Sequence, residues 1–107
     1  MHKIVLALMI LVPGGYAGNA LSADIEAGKK LAQAKKCGDC HGAAGISPEG
    51  TSYPNLAGQK LAYLKQALTA YRDKDRQHPI MTSMAAGLSD KDIANLAEYF
   101  TSLSSCP

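Results

Sequence analysis

Two cysteines three positions apart with a histidine directly after the second, Cys37-Gly38-Asp39-Cys40-His41, constrain this chain more than any other stretch. This is the C-x-x-C-H pattern through which c-type haem is attached. Each thiol can form a thioether to a haem vinyl group, and His41, fixed beside them, reaches the iron from the proximal side. Other uses of a C-x-x-C pair fit less well. A structural zinc site takes four protein ligands, usually from two such pairs, and outside the leader only His78 and Cys106 remain, far apart and without paired spacing. A thiol redox enzyme places the pair near a strand and helix alternation, and no convincing strand precedes Cys37.

The beginning of the chain has a separate character. Met1-His2-Lys3 is followed by the nine apolar residues Ile4 to Val12, then by Pro13-Gly14-Gly15 and small residues up to Ala23. A cationic start, an apolar stretch and a small-residue cleavage zone make a signal peptide. Nine apolar residues are too few for a membrane-spanning helix, which takes about 20. Cleavage after Ala20 puts Gly18 and Ala20 at the two small-residue positions; cleavage after Ala23 is the alternative. The expected organisation is therefore a signal peptide over 1–20 and a single domain over 21–107. Export suits covalent haem attachment, so the expected compartment is a bacterial periplasm, with no stable membrane insertion after cleavage.

Removing residues 1–20 from the 107 leaves 87, enough for one small domain. A domain of that size buries a modest core and usually leans on a metal, a disulfide or a cofactor. With no Trp and a single Phe, Phe100, the peptide is thinly provided, and haem would supply the apolar mass. The formal charge is +2; without Lys3 the 11 Lys and Arg fall to 10 against 9 Asp and Glu, a near-neutral balance. Nothing in it points to nucleic acid. Lys29, Lys30, Lys35 and Lys36 cluster before the haem motif, where they either steer an acidic redox partner or form an ordinary solvated helix face.

Three helices are legible, and no segment alternates well enough for a strand, so the expected class is all-α. The first starts at the N-cap Asp24 and runs to about Lys36, with Gly28, Leu31 and Ala32 on one face. The second runs from about Gln59 to Arg72 with Leu61, Leu64, Leu68 and Tyr71 in a stripe that lines either a core or a haem pocket. The third follows Ser89 and Asp92, an approximate capping box, with Ile93, Leu96, Ala97 and Phe100 on its apolar face up to about Leu103. Two long loops, His41 to Gly58 and Asp73 to Leu88, are placed to wrap the two sides of a haem.

The second axial ligand separates an electron carrier from a site that binds small ligands. The candidates are His78, Met81 and Met84, all in the second loop. Pro79 biases His78 toward extended backbone, which suits an outward-facing side chain. Either methionine can fill a core position instead.

At this point the sequence resembles the small class I c-type cytochromes of bacteria, in particular the cytochrome c553 and c4-like group, over about Ala23 to Leu103. The resemblance rests on the haem motif with Gly42, on Gly45-Ile46-Ser47-Pro48, and on Tyr53-Pro54-Asn55-Leu56-Ala57-Gly58-Gln59. It continues through Tyr63-Leu64 with Gln66-Ala67-Leu68, Met81-Thr82-Ser83-Met84, Leu88-Ser89-Asp90, and Ile93, Leu96, Ala97, Tyr99 and Phe100. It implies a class I cytochrome c fold, three main helices and long loops around one covalently attached haem c. It also implies Met81 as distal ligand with Met84 packed nearby, and the Pro54 carbonyl as hydrogen-bond acceptor for the outer nitrogen of His41. Gly28 and Tyr99 would then form a close crossing of the first and last helices.

The expected function is one-electron transport between redox protein partners, such as a membrane-bound oxidase or reductase, by a carrier that is not an enzyme. A cytochrome subunit of a dehydrogenase, for example one oxidising reduced sulfur, is the second expectation, and a five-coordinate haem sensor or peroxidase the third. Cys106, an odd cysteine near the end, is either an intermolecular disulfide that links a dimer or a free thiol.

Overall fold

The computed structural model describes residues 23–106, and the signal peptide expected over 1–20 lies outside them. Five helices follow one another: α1 (Ile25–Ala34), α2 (Gly38–His41), α3 (Leu61–Arg72), α4 (Met81–Ala85) and α5 (Asp90–Ser102). The three long ones are those legible in the sequence. The two short ones lie at the haem motif and in the second long loop. Among the described residues there is no strand, and no helix is long and apolar enough to cross a membrane.

Both ends of α1 are set locally. The Asp24 side chain accepts a hydrogen bond from the Ala27 N–H at 3.1 Å, meeting one of the donors left unpaired at a helix start. The helix stops at Ala34, two residues short of the sequence expectation, because Lys36 turns into the left-handed region at φ 57°. The Lys36 N–H donates to the Gln33 carbonyl at 3.1 Å and the Cys37 N–H to that of Ala32 at 3.0 Å, the paired bonds of a Schellman turn. Glycine usually occupies that position; a lysine there gave no stop signal to read. The turn feeds Cys37 directly into α2.

The last helix matches its reading closely. Ser89 Oγ accepts from the Asp92 N–H and the Asp92 carboxylate from the Ser89 N–H, both at 3.0 Å, so the capping box is complete. Ile93, Leu96, Ala97 and Phe100 are all buried, together with Ala32, Leu64, Ala85 and Leu88. Of these, the leucine, isoleucine and phenylalanine side chains contribute about 1.5–3 kcal/mol each when fully removed from water. Of the α3 stripe only Leu64 is fully in the core, and Leu61, Leu68 and Tyr71 are half-buried against it. The second helix begins at Leu61 rather than Gln59, with Lys60 as an N-cap that lends no side-chain bond.

Helices α1 and α5 meet at Gly28. A Cβ on Gly28 would stand 2.6 Å from the Asn95 carbonyl carbon and 2.9 Å from Tyr99 Cβ, so only glycine permits the approach. Asn95, buried within α5, turns its Oδ1 to the Asp24 N–H at 2.8 Å and so serves the start of α1. Sequence periodicity missed this residue, since an asparagine on an apolar face carries no sign of its partner. Arg72 at the end of α3 spans to α5, donating to Asp73 at 2.9 Å and Asp90 at 2.7 Å. Those hydrogen bonds, Asp73 before Asp90, push its guanidinium further up, although pairs this exposed add little stability.

Candidate functional site

The Schellman turn delivers the two thiols and the imidazole onto one short helical turn. Cys37 caps α2, the His41 N–H donates to the Cys37 carbonyl at 2.9 Å and that of Cys40 to the same oxygen at 3.3 Å. Both cysteines are free and half-buried. Burial pushes the Cys37 thiol up, against smaller opposing effects of a backbone hydrogen bond and Lys35.

His41 is 7% exposed and its ring is oriented by a single bond, Nδ1 to the Pro54 carbonyl oxygen at 2.8 Å. A carbonyl can only accept, so Nδ1 carries the proton and Nε2 presents a lone pair. That is the tautomer an iron ligand requires, and the carbonyl both fixes the plane of the ring and raises its donor strength. The residue that the resemblance singled out for this bond is therefore in contact with His41.

Several loop residues hold the Pro54 carbonyl in place. Gly42 leaves α2 at φ 85°, where a Cβ would also strike the Ile46 backbone, so the chain turns sharply after His41. The Gly45 carbonyl then accepts from the Leu56 and Ala57 N–H groups at 2.8 and 2.9 Å. Asn55 Oδ1 accepts from both the backbone and the hydroxyl of Ser47, each at 2.8 Å. The segment directly after Pro54 is thus tied back to the first part of the same loop. Tyr53 adds an edge contact, its ring centroid 6.3 Å from that of His41.

The methionine loop is brought to the same end of the molecule. Lys35, two residues before the motif, donates from Nζ to the Met84 carbonyl at 3.2 Å, bridging α1 to α4. Its half-buried position sets it apart from the exposed Lys29, Lys30 and Lys36. Ala85 is fully buried in the core against which Cys37 also packs. Met81 is half-buried, whereas Met84 is 37% exposed. His78 is exposed, the outward-facing side chain the sequence suggested, and its Nδ1 accepts from the Ile80 and Met81 N–H groups at 3.2 and 3.3 Å. This committed role was not visible in the sequence, because histidine is not among the usual capping residues.

These residues fit haem c. Among the described residues no large side chain falls below 2% exposure, so the peptide core is as thin as its composition implied. Tyr53, Ile80 and Met84, within the two loops that carry the candidate ligands, expose 37, 42 and 37% of their surface, apolar area that a porphyrin would cover. Among the same residues no group of three or more His, Cys, Asp or Glu gathers as a protein-only metal site, so the four-ligand zinc alternative finds no support. Cys37 and Cys40 would hold the haem covalently and His41 would bind its iron. Cys106 is exposed and free near the end of the chain.

Known proteins agree with this geometry. Residues 25–104 match the family model for cytochrome c. The chain is 40% identical over 103 residues to cytochrome c4 of Pseudomonas aeruginosa, covering 95% of this chain and 49% of that protein. It is 43% identical over 81 residues to cytochrome c-554(548) of Halomonas halodenitrificans, 71% of this chain and 98% of that one. The thiosulfate dehydrogenase electron acceptor of Thiomonas intermedia is 37% identical over 71 residues, 66% of this chain and 33% of that protein. Among solved structures, reduced recombinant cytochrome c4 from Pseudomonas stutzeri superposes with a TM-score of 0.69 at 32% identity, over 78% of this chain and 51% of that one. The chain thus spans about half the length of the cytochrome c4 relatives and nearly all of cytochrome c-554(548). With the haem motif, the imidazole held by Pro54 and the all-helical fold in agreement, the chain belongs to the cytochrome c family and is a small class I c-type cytochrome carrying covalently bound haem c.

Proposed function

We propose that the protein is a one-electron carrier of the bacterial periplasm, with His41 and Met81 as axial ligands of a single haem. The observation that carries this reading is the pairing of a fixed imidazole with a methionine turn tied to the motif by Lys35: two ligand-bearing segments anchored to one helix end. Bound in this site, haem c supplies an iron that cycles between the ferrous and ferric states. His41, held by Pro54, keeps its orientation in both. A thioether from Met81 raises the potential and leaves no open coordination position, which suits electron transfer over ligand binding. Met84 is the alternative ligand; the resemblance and the use of the Met84 carbonyl by Lys35 favour Met81.

A redox titration of the purified holoprotein tests the carrier reading, alongside the far-red sulfur-to-iron charge-transfer band of the ferric form. A reversible one-electron wave with the band present is the expected result. Absence of the band, together with carbon monoxide binding to the ferrous protein, is the outcome that supports a five-coordinate sensor or peroxidase instead.

The periplasmic assignment rests on the sequence of the first 23 residues and is checked by N-terminal sequencing of protein from the periplasmic fraction. A mature chain starting after Ala20 or Ala23 is expected. A second reading, a cytochrome partner of a dehydrogenase, is favoured by the relative described as a thiosulfate dehydrogenase electron acceptor. Gel filtration of native extracts separates the two, since co-elution with a flavin or molybdenum subunit would assign the chain to a complex. A dimer linked through Cys106 would appear on non-reducing gels and disappear with reductant.

A further inference from the structure

The methionine turn has an N-terminal cap that its sequence does not announce. The Thr82 N–H donates to the His78 carbonyl at 3.0 Å, a helical bond reaching back beyond Met81, so the turn effectively starts after His78. Pro79 then sits at the first helical position, where its missing N–H costs nothing. His78 occupies the cap position and uses Nδ1 as the capping acceptor, taking the Ile80 and Met81 N–H groups at 3.2 and 3.3 Å. The arrangement is reciprocal: the His78 N–H donates to Thr82 Oγ1 at 2.8 Å, an exchange like that of a capping box but closed one residue later. One of the two capped donors is the backbone of Met81 itself. At the other end of the turn, Lys35 Nζ holds the Met84 carbonyl at 3.2 Å.

We infer that His78 is a positioning residue for Met81, an inference that rests on Met81 being the distal ligand. A five-residue helix is too short to hold itself together in water, and α4 spans only Met81–Ala85. Its orientation therefore depends on side chains at its ends. Without the His78 cap the Ile80 and Met81 amides turn to solvent, the first turn frays, and the thioether spends more time away from where the ligand must stand. Histidine suits the place because its ring nitrogen accepts at the reach of a carboxamide oxygen while Pro79 restrains the backbone that presents it.

The test is imidazole binding to the ferric holoprotein, because added imidazole competes with the methionine for iron while leaving His41 in place. His78→Ala is expected to raise imidazole affinity roughly fivefold, the factor that corresponds to the usual worth of an N-cap. His78→Asn, which keeps a capping acceptor, is expected to return the affinity to near that of the unsubstituted protein. Ser89→Ala removes a cap of similar kind from α5 and controls for general loss of stability; imidazole affinity should not move. Equal affinities for His78→Ala and the unsubstituted protein overturn the inference, as does a rise in His78→Asn or in Ser89→Ala that matches the rise in His78→Ala. If the unsubstituted ferric protein shows no far-red charge-transfer band, the Met81 reading falls and the inference with it; if the band is present and affinity is unchanged, only the inference falls.

Discussion

Gly28 of α1 lies so close to Asn95 of α5 that a Cβ on the glycine would stand 2.6 Å from the asparagine's carbonyl carbon. Asn95 also sends its side-chain oxygen to the Asp24 N–H at 2.8 Å. The first and last helices are therefore joined twice at one crossing, by close backbone approach and by a hydrogen bond across 71 residues of chain. The turn that ends α1 leads directly into the haem motif, so this crossing sets where Cys37, Cys40 and His41 stand.

Gly28→Ala tests the crossing. In an open helix this change is favourable by about 0.8–1 kcal/mol, but overpacking costs typically 1–3 kcal/mol. Urea unfolding of the holoprotein, followed by helical circular dichroism, should show a net loss of up to about 2 kcal/mol. A gain would mean that the helices separate without penalty.

Asn95→Ala removes the acceptor for the Asp24 N–H and leaves a partly buried donor without a partner. The expected loss is about 1–3 kcal/mol. Amide exchange at the start of α1 should accelerate more than exchange in the middle of α3, which distinguishes a local loss from a uniform one.

Lys36→Gly should stabilise the protein. A non-glycine residue in the left-handed region costs about 1–2 kcal/mol, and the extra freedom glycine gives the unfolded chain takes back about 0.4–1 kcal/mol. A rise in the urea midpoint with an unchanged slope is the expected observation; a fall would show that the Lys36 side chain has a stabilising contact of its own.

Met81→Ala should abolish the far-red charge-transfer band of the ferric protein, while Met84→Ala keeps it. The reverse pattern would move the ligand assignment to Met84. Either variant should still hold its haem, since attachment depends on Cys37 and Cys40.

Single replacements of Cys37 or Cys40 by alanine should leave haem that survives acidified solvent extraction, one thioether remaining in each case. The double replacement should lose all of it to the organic phase. Haem retained by the double variant would point to another covalent anchor.

Much of this protein is legible in short stretches of sequence. The haem motif depends on residues within five positions, and the Ser89 and Asp92 capping box closes within four. The α5 stripe is equally local, since helical periodicity alone puts Ile93, Leu96, Ala97 and Phe100 on one face, and all four are buried. Where the signal was unusual the reading slipped by a residue or two: α1 ends at Ala34 because a lysine, not a glycine, adopts the left-handed turn. The short helix α4 was hidden inside a loop because its cap is a histidine.

By itself, then, the sequence determined covalent haem attachment and three helices and singled out His41 as the candidate proximal ligand, all products of interactions between near neighbours. Tertiary structure decided the relations between distant segments. It brought the Pro54 carbonyl to Nδ1 of His41 through the grip of Gly45 and Asn55 on the loop. It joined Lys35 to the Met84 carbonyl across 49 residues, and buried Asn95 to serve Asp24. Each of these bonds depends on where a backbone carbonyl or amide comes to rest. Every residue carries those same groups, so side-chain identity cannot announce which of them will meet; only packing of the helices selects the pair.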